Sequence, residues 1–150
     1  MRRLLTIAAL SMAALSCDSV EKPQVETATS WRQIQMNGFS FYAPPALTRD
    51  HSVQPIDSYA GTFRMTGIEI GFDYGMHSKW YEGESLNLNG AFAATLLVTN
   101  NPYPESLPYL AILSARPQSA DTPSLTMSAG CASEADLETA LQILRSVTFD

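Results

Sequence analysis

The chain has 150 residues, of which 45% are hydrophobic and 16% charged, a composition typical of one globular domain of ordinary size. This balance excludes a coiled-coil rod, a collagen-like repeat and a wholly disordered chain. Fifteen acidic residues outnumber nine basic ones, for a net charge of -6. We therefore expect no nucleic-acid partner, because such binding needs cations that displace counterions from phosphates. Two cysteines are too few for a disulfide-stapled scaffold.

The first sixteen residues have the pattern of an export signal. Two arginines follow the initiator methionine, and the twelve residues from Leu4 to Leu15 are apolar except for one threonine and one serine. Such a run is too short for a hydrocarbon core, which needs about 20 residues in a helix. We therefore expect a cleaved signal peptide over residues 1–16 rather than a lasting transmembrane span.

The junction Ala14-Leu15-Ser16-Cys17 resembles the lipobox of bacterial lipoproteins, in which a small residue precedes an invariant cysteine. The resemblance implies that the Cys17 thiol receives a diacylglycerol, that the leader is cut before it and that the new amine is acylated. Stable anchoring takes two chains, since each buried methylene contributes about 0.8 kcal/mol. Ala14-x-Ser16 also suits ordinary signal peptidase, so the alternative is a soluble secreted protein with a Cys17–Cys131 disulfide.

Removal of the leader leaves seven cations and fifteen anions, a net charge of -8. Anionic headgroups repel such a domain, so its membrane affinity must come from the acylated Cys17. The expected location is the bacterial cell envelope, lipid-anchored and facing the periplasm. Asp18 follows the cysteine; in some enteric bacteria an aspartate there retains a lipoprotein in the inner membrane, and the choice between the inner and outer membranes stays open.

A polar segment separates the cysteine from the domain. Residues 18–30 contain two valines and no larger apolar side chain, so they cannot bury enough surface to offset their ordering entropy. We expect a lipidated cysteine and flexible tether over 17–30, whose span as a random coil is on the order of 20 Å. A single globular domain follows over 31–150.

Alternating apolar and polar residues predict a hairpin between Ala60 and Tyr74. A two-residue turn at Thr66-Gly67 sets Arg64 opposite Glu69 on the exposed face, Phe63 opposite Ile70 and Met65 opposite Ile68. A three-residue loop with a glycine bulge is the alternative and shifts this register.

Further strands are expected on both sides of the hairpin. An aromatic strand covers Phe39–Tyr42, and the apolar segment 91–100 favours a strand over a short helix. The remaining strand signals lie at Tyr109–Ser114, Leu125–Ala129 and Ser146–Phe149.

Ser133 opens the one strong helix signal, with acidic residues in the first turn where the helix dipole favours them. An apolar stripe follows at Leu137, Ala140, Leu141 and Leu144. We therefore predict an α+β fold in which a C-terminal helix packs on an antiparallel sheet. Just before the helix, Cys131 is interpreted as a buried, inert side chain; the alternative is a thiolate favoured by the helix N-terminus.

The ending Arg145-Ser146-Val147-Thr148-Phe149, behind a strand and a capped helix, resembles the C-terminus of PsbP-like domains. The segment from Phe39 to Pro44 resembles the aromatic strand and proline that begin them. The resemblance implies an α/β/α sandwich on an antiparallel sheet and a small exported accessory domain, often without catalysis. The middle of the chain departs from the family, because no convincing helix follows the first strand.

The candidate binding residues are Tyr74, His77, Trp80 and Tyr81, in and before a segment over 75–84 that reads as a long loop. Trp and Tyr are residue types that anchor binding surfaces. Two interpretations of Trp80 and Tyr81 are equally open: they contact an envelope protein or a small ligand, or they fold back to cap the sheet.

Evidence for catalysis is sparse. His77 with Asp73 is the candidate pair for a small envelope hydrolase, but no Gly-x-Ser-x-Gly elbow or dinucleotide fingerprint is present. A metal site of His77, Asp73 and Glu82 or Glu84 would lack any known ligand spacing. We therefore expect a non-catalytic binding or accessory domain, with no cofactor and no metal.

Overall fold

The computed structural model describes residues 31–51, 59–76, 78–102, 107–118 and 123–150. The predictions for the leader, Cys17, the tether and His77 lie outside these residues. In chain order the elements are β1 (Arg32–Gln35), β2 (Phe39–Ala43), β3 (Thr48–Asp50), β4 (Tyr59–Met65), β5 (Ile68–Gly75), β6 (Glu84–Ser85), β7 (Ala91–Asn100), β8 (Tyr109–Pro117), β9 (Ser124–Cys131), α1 (Glu134–Arg145) and β10 (Thr148–Phe149).

Seven strands form one antiparallel sheet in the order β3-β4-β5-β9-β8-β7-β6. Successive side chains of a strand point to opposite faces, so the apolar alternation gives this large sheet a core face and an outer face. The core face carries most of the buried apolar side chains, including Phe63, Ile70, Phe72, Leu113, Leu125 and Met127. The expected α+β class, an antiparallel sheet packed by a C-terminal helix, is confirmed.

A three-stranded sheet and α1 cover the core face. β2 lies between β1 and β10, and its Phe39 packs on Tyr74 of β5 with ring centroids 5.4 Å apart. Phe41 meets Phe63 edge to face, also at 5.4 Å. Burying each such large apolar side chain contributes about 1.5–3 kcal/mol. The helix adds four buried side chains to the same core: Ala140, Leu141, Ile143 and Leu144.

The predicted hairpin register is confirmed. Arg64 lies opposite Glu69 in the β4–β5 ladder, and its Nε donates to the Glu69 carboxylate at 2.9 Å. Gly67 has φ +77°, a conformation that glycine adopts without steric cost. Thr66 has a negative φ, so the turn is neither of the mirror-image types that usually join two strands in this way.

Ser133 caps the helix as predicted. Its Oγ accepts a hydrogen bond from the backbone N–H of Asp136 at 3.2 Å, and α1 runs to Arg145. Leu137 is only half-buried, because Ile143 completes the fully buried stripe instead.

The final strand is shorter than predicted. Ser146 ends the helix, and only Thr148 and Phe149 pair, with Ser40 and Phe39 of β2. β10 therefore belongs to the small sheet. Three strands were not predicted from the sequence: β1, β3 and β6 are two to four residues long and mostly polar.

Within the described ranges, no helix is both long enough and apolar enough to cross a bilayer.

Candidate functional site

The segment Ser78–Gly83, here called the strap, crosses the outer face of the large sheet between β5 and β6. Ser78 fixes its first end, because the Ser78 Oγ accepts from the Gly75 N–H at 3.0 Å and lies 2.9 Å from the carbonyl of Ser124 on β9. The same hydroxyl is 3.1 Å from the carbonyl of Asp73. The strap therefore starts tied to both β5 and β9.

Three hydroxyl side chains of the sheet hold the backbone of the strap. Thr126 Oγ1 donates to the carbonyl of Lys79 at 2.6 Å, and Thr95 Oγ1 donates to the carbonyl of Tyr81 at 2.7 Å. The N–H of Tyr81 donates to Ser114 Oγ at 3.0 Å. These bonds satisfy strap groups that lie against the sheet, where an unpaired polar group costs free energy.

The strand registers explain why these hydroxyls line up. Five residues stand directly opposite one another in the successive ladders from β5 to β6: Asp73, Thr126, Ser114, Thr95 and Ser85. Directly opposed residues share a face of the sheet, so they form one row on the outer face. The strap follows this row and meets a hydroxyl on β9, on β8 and on β7.

The strap brings Trp80 and Tyr81 back onto the sheet. Both are half-buried; the Arg116 guanidinium lies 4.8 Å from the Trp80 ring centroid, and the Lys79 Nζ lies 4.8 Å from that of Tyr81. Such cation–π contacts hold rings in place. The structure therefore favours the interpretation in which these aromatics cap the sheet.

Tyr74 does not lie on the same surface as Trp80 and Tyr81. It points to the core face, is 7% exposed and packs against Phe39. Burial raises the pKa of its phenol, and the negative charge of Asp150 raises it further. The predicted grouping of Tyr74 with the strap aromatics is therefore corrected, because β5 alternation sends its side chain to the opposite face.

A groove of about 340 Å³ lies beside the strap on the outer face of β4, β5 and β9. At its edge the Oδ1 atom of Asp73 is buried and has no hydrogen-bond partner in the described part of the chain. The outer-face residues that line the groove are small apart from this carboxylate: Ala60, Thr62, Gly71, Asp73, Thr126 and Ser128.

Gly71 forms the floor of the groove. Its φ is not positive, so the backbone there does not require glycine. A Cβ at this position would lie 3.3 Å from Ser128 Oγ and would occupy the groove. The sequence analysis does not predict this site; the feature that could have indicated it is the outer-face pair Gly71 and Asp73, which alternates with buried Ile70, Phe72 and Tyr74.

Cys131 is fully buried at the end of β9. Burial raises the pKa of its thiol to about 11, and the nearby Asp136 carboxylate adds to the effect. The thiol is therefore neutral at physiological pH, as expected for an inert core side chain. Within the described residues, no three His, Cys, Asp or Glu side chains are grouped as a metal site would require.

Comparison with known proteins finds no matching family model and no matching curated protein. The functional conclusion therefore rests on the residues of this chain.

Proposed function

We propose that this protein is a lipid-anchored domain of the bacterial envelope that binds a partner or small ligand and does not catalyse a reaction. The observation that carries the proposal is the cationic, apolar leader of sixteen residues that ends directly at Cys17. Acylation of that thiol gives the protein its membrane affinity. The net charge of -8 after cleavage supports this role for the lipid, because the domain surface is repelled by anionic headgroups.

The arrangement of the domain is suited to a tethered binder. The described chain starts at Trp31 and enters β1, an edge strand of the small sheet on the core face. The strap and the groove lie on the opposite face of the large sheet. Trp31, the first described residue, therefore lies on the side of the large sheet away from the groove.

We also propose a relationship to PsbP-like domains. The antiparallel large sheet, the helix α1 and the strand β10 directly after it support this relationship. An α/β/α sandwich requires a second helical layer, and the strap is what the described residues place on the outer face. An experimental structure of the full chain with a helix on that face would support the sandwich, and one with only the strap there would contradict it.

Metabolic labelling tests the anchor. Bacteria that express the full chain are fed an alkyne analogue of palmitate, and the purified protein is coupled to a fluorophore. The wild type should carry label and sediment with membranes, and Cys17→Ala should lose both properties. Cys131→Ala is the matched control, since it removes the other cysteine and should keep the label. Equal labelling of wild type and Cys17→Ala would contradict the proposal.

A catalytic role has its own test. The competing hydrolase hypothesis assigns activity to His77 and Asp73. Turnover of p-nitrophenyl acetate is measured for the wild type and for His77→Ala. We expect the same background rate for both proteins. A wild-type rate well above background that His77→Ala abolishes would overturn the non-catalytic proposal.

A further inference from the structure

We infer that the outer-face groove binds the primary ammonium group of a small organic amine, with the Asp73 carboxylate as its counter-ion. The groove lies between the strap and the Arg64–Glu69 ion pair, on a face that the core does not use. This inference rests on the proposed function, in which the domain binds a ligand. It deepens that proposal by naming the class of the ligand.

The Asp73 carboxylate has one oxygen without a hydrogen-bond partner among the described residues. Asp73 Oδ1 is buried and accepts no hydrogen bond from the described residues. A buried polar atom without a partner is unfavourable, and native proteins pair nearly all such atoms. A ligand that donates to Oδ1 gives this residue a role.

The cations of the same face do not neutralise Asp73. Arg64 forms ion pairs with Glu69, its ladder partner in the row beyond Gly71, and with Asp50, which stands opposite Thr62 in the row of Gly71. The ammonium of Lys79 lies over the ring of Tyr81. Arg116 stacks on Trp80 of the strap. Each of these three cations, the ones the structure describes on this face, therefore has a partner elsewhere.

The hydroxyls of the groove select a ligand that donates hydrogen bonds. Thr126 lies directly opposite Asp73 in the β5–β9 ladder, and its proton is already donated to the carbonyl of Lys79. The Thr126 oxygen therefore acts toward the groove only as a hydrogen-bond acceptor, as Asp73 Oδ1 does. Thr62 and Ser128 flank Gly71 in the adjacent row and offer two more hydroxyl oxygens. A primary ammonium carries three N–H donors and one positive charge, which matches this set.

The size of the groove limits the ligand. A volume of about 340 Å³ is near the lower end of the range for small-molecule sites, roughly 300–1,000 Å³. The floor is open because Gly71 has no side chain, and the walls are alanine, threonine and serine. Among the described residues the groove has one carboxylate, and no three His, Cys, Asp or Glu side chains are grouped there, which does not suit a divalent cation such as Ca²⁺. A low-molecular-weight amine is the occupant that fits both volume and charge.

The experiment titrates the purified full chain in non-ionic detergent with three probes of the same length. Butylamine supplies the ammonium, 1-butanol removes the charge, and butyltrimethylammonium keeps the charge but has no N–H. Backbone NMR shifts of Gly71, Asp73 and Thr126 report binding. We expect butylamine to saturate with a Kd of about 0.1–1 mM and the other two probes to bind at least about tenfold more weakly.

Two variants and a matched control locate the site. Asp73→Asn should weaken butylamine at least about tenfold because the counter-ion is gone, while its Tm stays within about 2 °C of the wild type, since the side chain keeps its size. Gly71→Ala should fill the floor and weaken binding, with a small change in Tm, since φ at this position is not positive and only the Ser128 hydroxyl, 3.3 Å from the new Cβ, must shift slightly. Glu69→Gln removes one acidic charge from the same face outside the groove and should leave the Kd within about twofold.

The outcomes that overturn the inference are specific. No saturable shift with butylamine, equal weakening by Glu69→Gln and Asp73→Asn, or an unchanged Kd in Gly71→Ala each contradicts the site. If Asp73→Asn does not fold, Gly71→Ala decides the question alone. Failure here leaves lipid labelling of Cys17 intact, and loss of labelling in the wild type leaves amine binding intact, so the two proposals fail separately.

Discussion

Replacing Ser114 by alanine removes the central hydroxyl that holds the strap. Ser114 is 1% exposed, and its Oγ accepts the N–H of Tyr81 at 3.0 Å. It stands in the outer-face row between Thr126 and Thr95, which bind the carbonyls of Lys79 and Tyr81. The substitution removes one oxygen and leaves the core face unchanged.

The expected cost follows from the group that is left unpaired. The net contribution of an ordinary intramolecular hydrogen bond is about 0.5–1.5 kcal/mol, and a buried donor left without a partner costs about 1–3 kcal/mol. The Tyr81 N–H lies under a half-buried strap, so the lower half of that range applies. We expect Ser114→Ala to lower the free energy of unfolding by about 1–2 kcal/mol, which is about 3–10 °C in Tm for a domain of this size.

Thermal unfolding by circular dichroism measures the stability change, and amide hydrogen exchange measures the strap itself. Exchange of the Tyr81 amide should become much faster in Ser114→Ala, while amides of β9 stay protected. Ser128→Ala is the control: it removes a serine hydroxyl from the same face that binds no strap amide, and we expect a change within about 0.5 kcal/mol. The reasoning is refuted if both variants lose the same stability, or if the Tyr81 amide remains protected in Ser114→Ala.

The other predictions concern the core. Because the folded pKa of Cys131 lies near 11 and the ordinary value is 9.0, the folded state holds this proton more tightly than the unfolded state. The contribution of Cys131 to stability, measured by urea unfolding as the difference between the wild type and Cys131→Ala, should therefore be constant below about pH 9 and fall as the pH rises toward 11; a difference that does not change over this range would contradict the assignment. Leu144→Ala, at a fully buried site on α1, should cost about 2–5 kcal/mol by the same measurement, and Leu137→Ala, at a half-buried site, clearly less. Equal losses for the two leucines would show that burial on the sheet does not decide the cost.

The parts of the fold that were predictable are those with a strong local pattern. The hairpin follows from strict alternation on both sides of Thr66-Gly67, and the helix follows from a cap at Ser133 and an apolar stripe. Both features are set by near neighbours in the sequence. The sequence also predicts longer strands such as β8 and β9, whose observed ends differ from the predicted ones by at most three residues.

The parts that were missed depend on distant partners. β1 has the sequence Arg-Gln-Ile-Gln, which carries no strand signal of its own. It forms a strand because it pairs with the edge of β2. β3 and β6 are likewise short edge strands that pair with β4 and β7. Tertiary pairing decides such segments, and local propensity does not.

The candidate site was only partly predictable for the same reason. The sequence predicts a loop over 75–84, which contains the strap, and leaves open whether its aromatics bind a partner or cap the sheet. The strap crosses the outer face because its backbone bonds to a row of hydroxyls there. These hydroxyls belong to three separate strands: Thr126, Ser114 and Thr95. The groove requires Gly71 and Ser128 to be adjacent, a relation that only the β5–β9 register supplies.

Lipidation of Cys17 is checked best by intact-mass spectrometry of the native protein, collected from both the membrane fraction and the aqueous fraction of the bacteria without reduction or hydrolysis. We expect the mass of residues 17–150 plus a diacylglycerol and, in the fully processed form, a third acyl chain. All the added mass should lie on the N-terminal fragment that contains Cys17. A polypeptide that begins at residue 17 with no added mass, recovered from the aqueous fraction, would contradict it.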